Sequence, residues 1–188
     1  MEAENCAKEL CMKTLLTGAL AAASLALGAS AWAQTPQRTT ATYGDWTVRC
    51  EMTSEEPATR NCEMFQAIGV QGQSAPVAQV AFAPGTEAGA FRLVVQTPLA
   101  VWLASDVRLT VGEEEIAVAD YKRCFQQSCL AEVDVPEAVM TDLVGRSGEG
   151  AVAFQDGAQR DVSVPFSFDG FADAHAALTA EISEQPAQ

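Results

Sequence analysis

From Asp45 to Met52 the side chains alternate. Trp46, Val48, Cys50 and Met52 fall on one side; Thr47, Arg49 and Glu51 fall on the other. A period of two with one polar face belongs to a strand that packs one side on a core and wets the other. Similar short runs recur along the chain, closed by Gly, Pro, Asn or Asp. Cys62–Val70 is the next, with Phe65, Ala67 and Gly69 on one side, after a polar Pro-containing loop over Ser54–Asn61. Pro76–Phe82 and Phe91–Thr97 follow, separated by Pro84-Gly85 and Gly89. Leu99–Leu103 is a short apolar run after Pro98. Val107–Val111 and Ile116–Ala119 flank the acidic turn Gly112-Glu113-Glu114-Glu115, and Tyr121–Val133 holds a pair of cysteines. Val152–Gln155 and Val162–Phe166 are joined around Asp156-Gly157, a strong hairpin signal.

Two segments have helical rather than strand spacing. Pro136–Val144 opens with Pro and Glu137, carries Val139, Met140, Leu143 and Val144, and stops at Gly145. Near the end, Asp169 is placed to cap a helix whose stripe is Phe171, Ala174, Leu178 and Ile182. Eight or nine short strands with only two short helices predict a mainly β chain. Parallel crossovers would demand more helices, so the expected fold is an antiparallel β-sandwich or barrel-like domain.

The N-terminal stretch reads as a targeting segment rather than as part of that fold. Leu15–Ala31 is uncharged and rich in Leu, Ala, Gly and Ser, and it ends in Ala31-Trp32-Ala33, a small-x-small site. A signal peptide over residues 1–33 is therefore expected, cut after Ala33. Its apolar core is shorter than the roughly 20 residues of a membrane span. Met12-Lys13 is the better start of such a signal, which sets Cys6 and Cys11 outside any folded structure. Residues 34–42 read as a polar leader, 43–183 as a single β-rich domain and 184–188 as a polar tail. No transmembrane segment is expected after cleavage.

Of 11 basic and 25 acidic residues, two Lys and three Glu precede Gln34; nine and 22 remain, a net charge near −13. Such a chain repels nucleic acid and anionic lipid surfaces. Four cysteines remain as well: Cys50, Cys62, Cys124 and Cys129. An even count in an exported chain reads as two disulfides. Three pairings are possible; the two local ones, Cys50–Cys62 and Cys124–Cys129, are favoured, with loops worth about 3 and about 2 kcal/mol in the chain-entropy model. A zinc site would need closer thiolate spacing, so no metal site is expected.

Candidate chemistry is thin. His175 is the single histidine, so any Ser-His-Asp or Cys-His arrangement must use it; its place beside an apolar stripe favours a part-buried structural role. A disulfide-bonded cysteine is no nucleophile. The run Glu113–Glu115 suits a solvated turn better than a calcium loop, whose ligands alternate around a Gly turn. Trp46 and Trp102 are both expected in the core, with a ligand platform as the alternative for Trp102. The Cys124–Cys129 spacing is wider than that of common redox dithiols. No catalytic residue and no cofactor site is assigned.

Taken in order, four pieces carry a resemblance: Trp46-x-Val48-x-Cys50, Cys62-x-Met64-x-Gln66, Tyr121-x-x-Cys124-x-x-x-x-Cys129, and Val164-Pro165-x-Ser167-x-x-Gly170-Phe171. The chain resembles the invasion-associated locus B family over roughly Tyr43 to Leu178. The resemblance implies an exported protein of a Gram-negative envelope, named for a locus linked to host-cell invasion. It implies no catalytic residues and takes Cys50, Cys62, Cys124 and Cys129 as a structural set. The expected function is a non-enzymatic binding or interaction role, in attachment or invasion where the organism is invasive. The expected location is periplasmic, with outer-membrane association or secretion as alternatives, and the partner a protein or envelope component. A structural or stress-protective accessory, a thiol-redox enzyme and a hydrolase are the other readings.

Overall fold

The computed structural model describes residues 38–53, 59–69 and 76–183. The expected signal segment, Cys6 and Cys11, the start of the leader, residues 54–58 of the 54–61 loop, Val70 and the polar tail lie outside the described residues.

Among the described residues ten strands and two helices follow in chain order. They are β1 (Arg38–Tyr43), β2 (Trp46–Met52), β3 (Arg60–Ile68), β4 (Ala78–Pro84), β5 (Phe91–Thr97), β6 (Val107–Val111), β7 (Glu114–Cys124), β8 (Cys129–Val135), α1 (Glu137–Val144), β9 (Glu149–Gln155), β10 (Asp161–Ser167) and α2 (Phe171–Ser183). The strands form one antiparallel sheet in the order β1-β2-β3-β4-β5-β8-β7-β6-β9-β10. The mainly β expectation with two helices therefore holds.

Three details differ from the sequence reading. Residues 38–43, read as the end of a polar leader, form β1, which pairs with β2 from Arg38↔Glu51 to Tyr43↔Trp46. An edge strand with no core face carries no apolar alternation, so its pattern is silent. In β3 the buried side is Cys62, Met64, Gln66 and Ile68, not that of Phe65 and Ala67. The pairing Cys50↔Cys62 sets the parity, since a one-residue slip would turn every side chain over. Phe65 then lies on the outer face, with the Arg49 guanidinium 4.9 Å from its ring centre. Finally, the runs around Ile116 and Tyr121 are one long strand. β7 pairs with β6 through its first half and with β8 through its second, with register shifts at Leu109/Thr110 and Tyr121/Arg123. Such irregularities bend a strand, and here the sheet turns back on itself.

That turn lays β10 across β2 and β3, and side chains close the seam. The Trp46 indole Nε1 donates to the Ser167 carbonyl at 2.7 Å. The buried Gln66 amide accepts from the Ser167 N–H at 2.8 Å and donates to the Ser167 and Asp45 carbonyls at 3.3 and 3.4 Å. Asp45 N–H donates to Asp169 O at 3.1 Å. Gly170 has φ +80°, and a Cβ there would sit 1.9 Å from the Tyr43 carbonyl oxygen. Only glycine permits that backbone approach.

Inside the seam, Trp46 and Phe171 meet edge to face with ring centres 4.9 Å apart, and Phe82 stands 5.6 Å from Phe171. Burying such rings dominates the energetics of a small core. The helical stripe forms as expected: Phe171, Ala174 and Leu178 are buried and Ile182 packs at the margin.

Candidate functional site

Both disulfides are present in the local pairing, Cys50–Cys62 and Cys124–Cys129. Each joins residues directly opposite on adjacent strands, Cα atoms 4.0 and 3.9 Å apart. Their surroundings differ. Cys50 and Cys62 are both buried, near the carboxylate of Glu181 on α2, which pairs with Arg60. These three residues bring donor atoms close together, but disulfide sulfurs are not the thiolates a metal requires. Cys129 is buried whereas Cys124 is exposed, at the mouth of the hairpin tip Phe125–Ser128.

The two ends of β5 lead to two surface features. At its Thr97 end, Thr97 pairs with Cys129, so Pro98 lies beside that tip; Pro98, Gln127 and Ser128 line one groove. The 98–106 connection is pinned by its backbone. Val101 bridges to Asp156, Trp102 N–H donates to Gln155 O at 2.9 Å and Gly157 N–H donates to Ala100 O at 3.0 Å. Val101 turns inward, while Leu99, Trp102 and Leu103 are 50%, 41% and 56% exposed. Phe125 on the neighbouring tip is 56% exposed. The core expectation therefore holds for Trp46 and fails for Trp102. The apolar run Leu99–Leu103 contributes one bridge residue instead of a strand, so its side chains are not sorted by a ladder. The adjoining β9–β10 turn spans Asp156 to Arg160. It takes its positive φ at Gln159 (+61°) rather than at Gly157, with Asp156 Oδ1 accepting from the Ala158 and Arg160 N–H groups.

At the Phe91 end lies a cleft of about 470 Å³ between α1, α2 and the 85–90 loop. His175 lines it, half-buried, its ring 5.2 Å from that of Phe91. Burial holds the imidazole below its ordinary pKa. The hydroxyls beside it are engaged: Thr179 donates to His175 O and Thr141 to Glu137 O, both at 2.9 Å. The loop is fixed by Asp134, which accepts from Thr86 Oγ1 at 2.8 Å and Arg92 Nε at 3.1 Å. Those two bonds hold the Asp134 carboxyl below the usual range.

The acidic turn is occupied by arginines. Glu114 pairs with Arg146 at 2.7 Å and Glu115 with Arg108 at 3.2 Å. Among the described residues no helix is long and apolar enough to cross a membrane.

The seam residues are those of the family pattern: Trp46, Gln66, Ser167, Gly170 and Phe171 lie far apart in sequence and meet in space. Comparison with known proteins agrees. The sequence profile of the invasion associated locus B (IalB) protein family matches residues 46–179. The crystal structure of invasion associated protein B from Bartonella henselae is similar, with TM-score 0.66 and 19% identity, covering 78% of this chain and 98% of that one. At that identity the likeness is one of fold. No curated protein matches the chain significantly. A profile that matches most of the chain, on the residues that close the sheet, settles the family: the chain belongs to the invasion-associated locus B family.

Proposed function

We propose that the mature chain is an exported, non-enzymatic binding protein of the bacterial envelope, with the rim formed by Leu99, Trp102, Leu103 and Phe125 as its contact surface. The carrying observation is the exposure of four large apolar side chains on two neighbouring connections, one of them pinned to the β9–β10 turn by backbone hydrogen bonds. Exposed apolar residues grouped this way mark interaction sites, and a fixed backbone lowers the ordering cost of contact. The two disulfides and the signal-like N-terminus support a location outside the cytoplasm. The partner is a protein or an envelope component. In an invasive organism the same surface serves attachment to, or invasion of, host cells.

Site-specific photo-crosslinking tests this reading. A photoreactive residue at position 102 in cells producing the protein is expected to trap a defined partner. Leu99→Ser with Leu103→Ser should remove that product while leaving the fold intact. An unchanged product in the serine variant would overturn the rim as the contact surface. Reproducible turnover of any substrate by pure protein, abolished by one point mutation, would overturn the non-enzymatic reading.

A further inference from the structure

The cleft at the other end of β5 is separate from the rim. A seven-residue strand places the two about 20 Å apart. Its floor is apolar, made by Phe91, Met140 and Ile182, and its rim carries Glu87 and Glu137. No Lys or Arg lines it. Among the described residues neither carboxylate has an ion-pair partner, whereas Asp134, Asp142 and Asp156 are held by Arg92, Arg146 and Arg160. Gly89 lets the loop lie against Glu137, whose Oε2 would be 2.7 Å from a Cβ at that position. The 470 Å³ volume falls within the range of small-molecule sites.

We propose that this cleft binds a small organic cation: a protonated or quaternary amine carried on an aromatic or short aliphatic body. The body fills the space over Phe91, Met140 and Ile182, and the charged end sits between Glu87 and Glu137. Charge complementarity selects this occupant. An anion of the same size would meet two carboxylates and no counter-charge, and a neutral molecule would leave both unpaired. His175 lies at the floor as a neutral ring, packed on Phe91, and adds no positive charge to oppose the ligand.

The single histidine makes the test direct, because its imidazole proton signals report on this cleft alone. The purified oxidised protein is titrated at neutral pH with phenethylammonium, 2-phenylethanol and phenylacetate, which share one body and differ in charge. Phenethylammonium is expected to shift the His175 signals saturably, with Kd of about 1 mM or tighter. The alcohol should bind at least about tenfold more weakly and the acid not measurably. Glu87→Gln with Glu137→Gln should weaken the cation about tenfold, as loss of two exposed ion pairs allows. Both positions are exposed, so thermal unfolding should hardly change. Ala88→Trp, which fills the mouth from an exposed loop position, should abolish the shift. Absence of a saturable shift, equal binding of amine and alcohol, or wild-type affinity in either variant would overturn the proposal.

Discussion

The two disulfides invite comparison because they are alike covalently and opposite in setting. Each ties a directly opposed pair on neighbouring antiparallel strands. Cys50–Cys62 lies in the core where α2 covers the sheet, with the Arg60–Glu181 pair beside it. Cys124–Cys129 closes an exposed tip whose Phe125 points to solvent. A cross-link in the core stabilises twice, by constraining the unfolded chain and by packing. A cross-link at a tip does mainly the first, since of its two cysteines only Cys129 is buried, and it holds the shape of a surface loop. The helix-covered end is thus built for stability, and the tip end presents side chains.

The largest effect should follow removal of the buried pair. Cys50→Ala with Cys62→Ala is expected to cost about 4 kcal/mol, about 3 of it from the loop and the rest from lost packing. Chemical denaturation measures it. Next comes Gly170→Ala, expected to cost about 3 kcal/mol, because its Cβ would strike the Tyr43 carbonyl at a positive φ. Cys124→Ala with Cys129→Ala should cost about 2 kcal/mol, chiefly the loop contribution, with a smaller loss of packing at buried Cys129. Equal losses for the two cysteine pairs would break the comparison. Mild reduction followed by thiol labelling sharpens it. In the mature chain the first two labels should fall on Cys124 and Cys129, since among the four disulfide cysteines Cys124 is the exposed one.

These magnitudes bear on what could be read from the sequence. Cysteine count, alternation and turn residues are local signals, and they indicated a disulfide-bonded antiparallel β domain with two helices. The ordered family pattern also proved to be architecture: Trp46, Gln66, Ser167 and Gly170 close the sheet. What local patterning could not reach was set by register and by edges. β1 has no core face to leave a pattern. The buried side of β3 was chosen by Cys62, not by Phe65. Trp102 is apolar yet exposed, and only the bridge at Val101 reveals which side of its run turns inward. The cleft was invisible in the sequence because Glu87, Phe91, Glu137 and His175 come from four separate segments; the one available signal was His175 beside an apolar stripe.

A smaller effect tests the surface end. Leu99→Ser, Trp102→Ser and Leu103→Ser should each alter stability by about 1 kcal/mol or less, because about half of each side chain is already in water in the folded state. A loss of several kcal/mol from any one of them would mean that the rim is structural packing after all. Partner capture should respond in the opposite way, falling sharply with little change in melting temperature.

The smallest effect concerns His175 and pH. Burial depresses its folded pKa below the ordinary value. The unfolded chain therefore takes up a proton first as pH falls, so the folded state loses stability through the ordinary histidine range, and the loss is complete below the folded pKa. Above that range the group contributes nothing. Glu87 and Glu137 line the same cleft, but burial alone sets the direction of the shift. Phe91, whose ring packs against it from β5, carries no charge. Melting temperatures from about pH 7.5 to about pH 5.5, bracketing the unperturbed value of about 6.5, should fall less steeply in His175→Asn than in the wild type. Identical profiles for wild type and His175→Asn would show that the ring titrates freely in the folded state, as an ordinary surface histidine does.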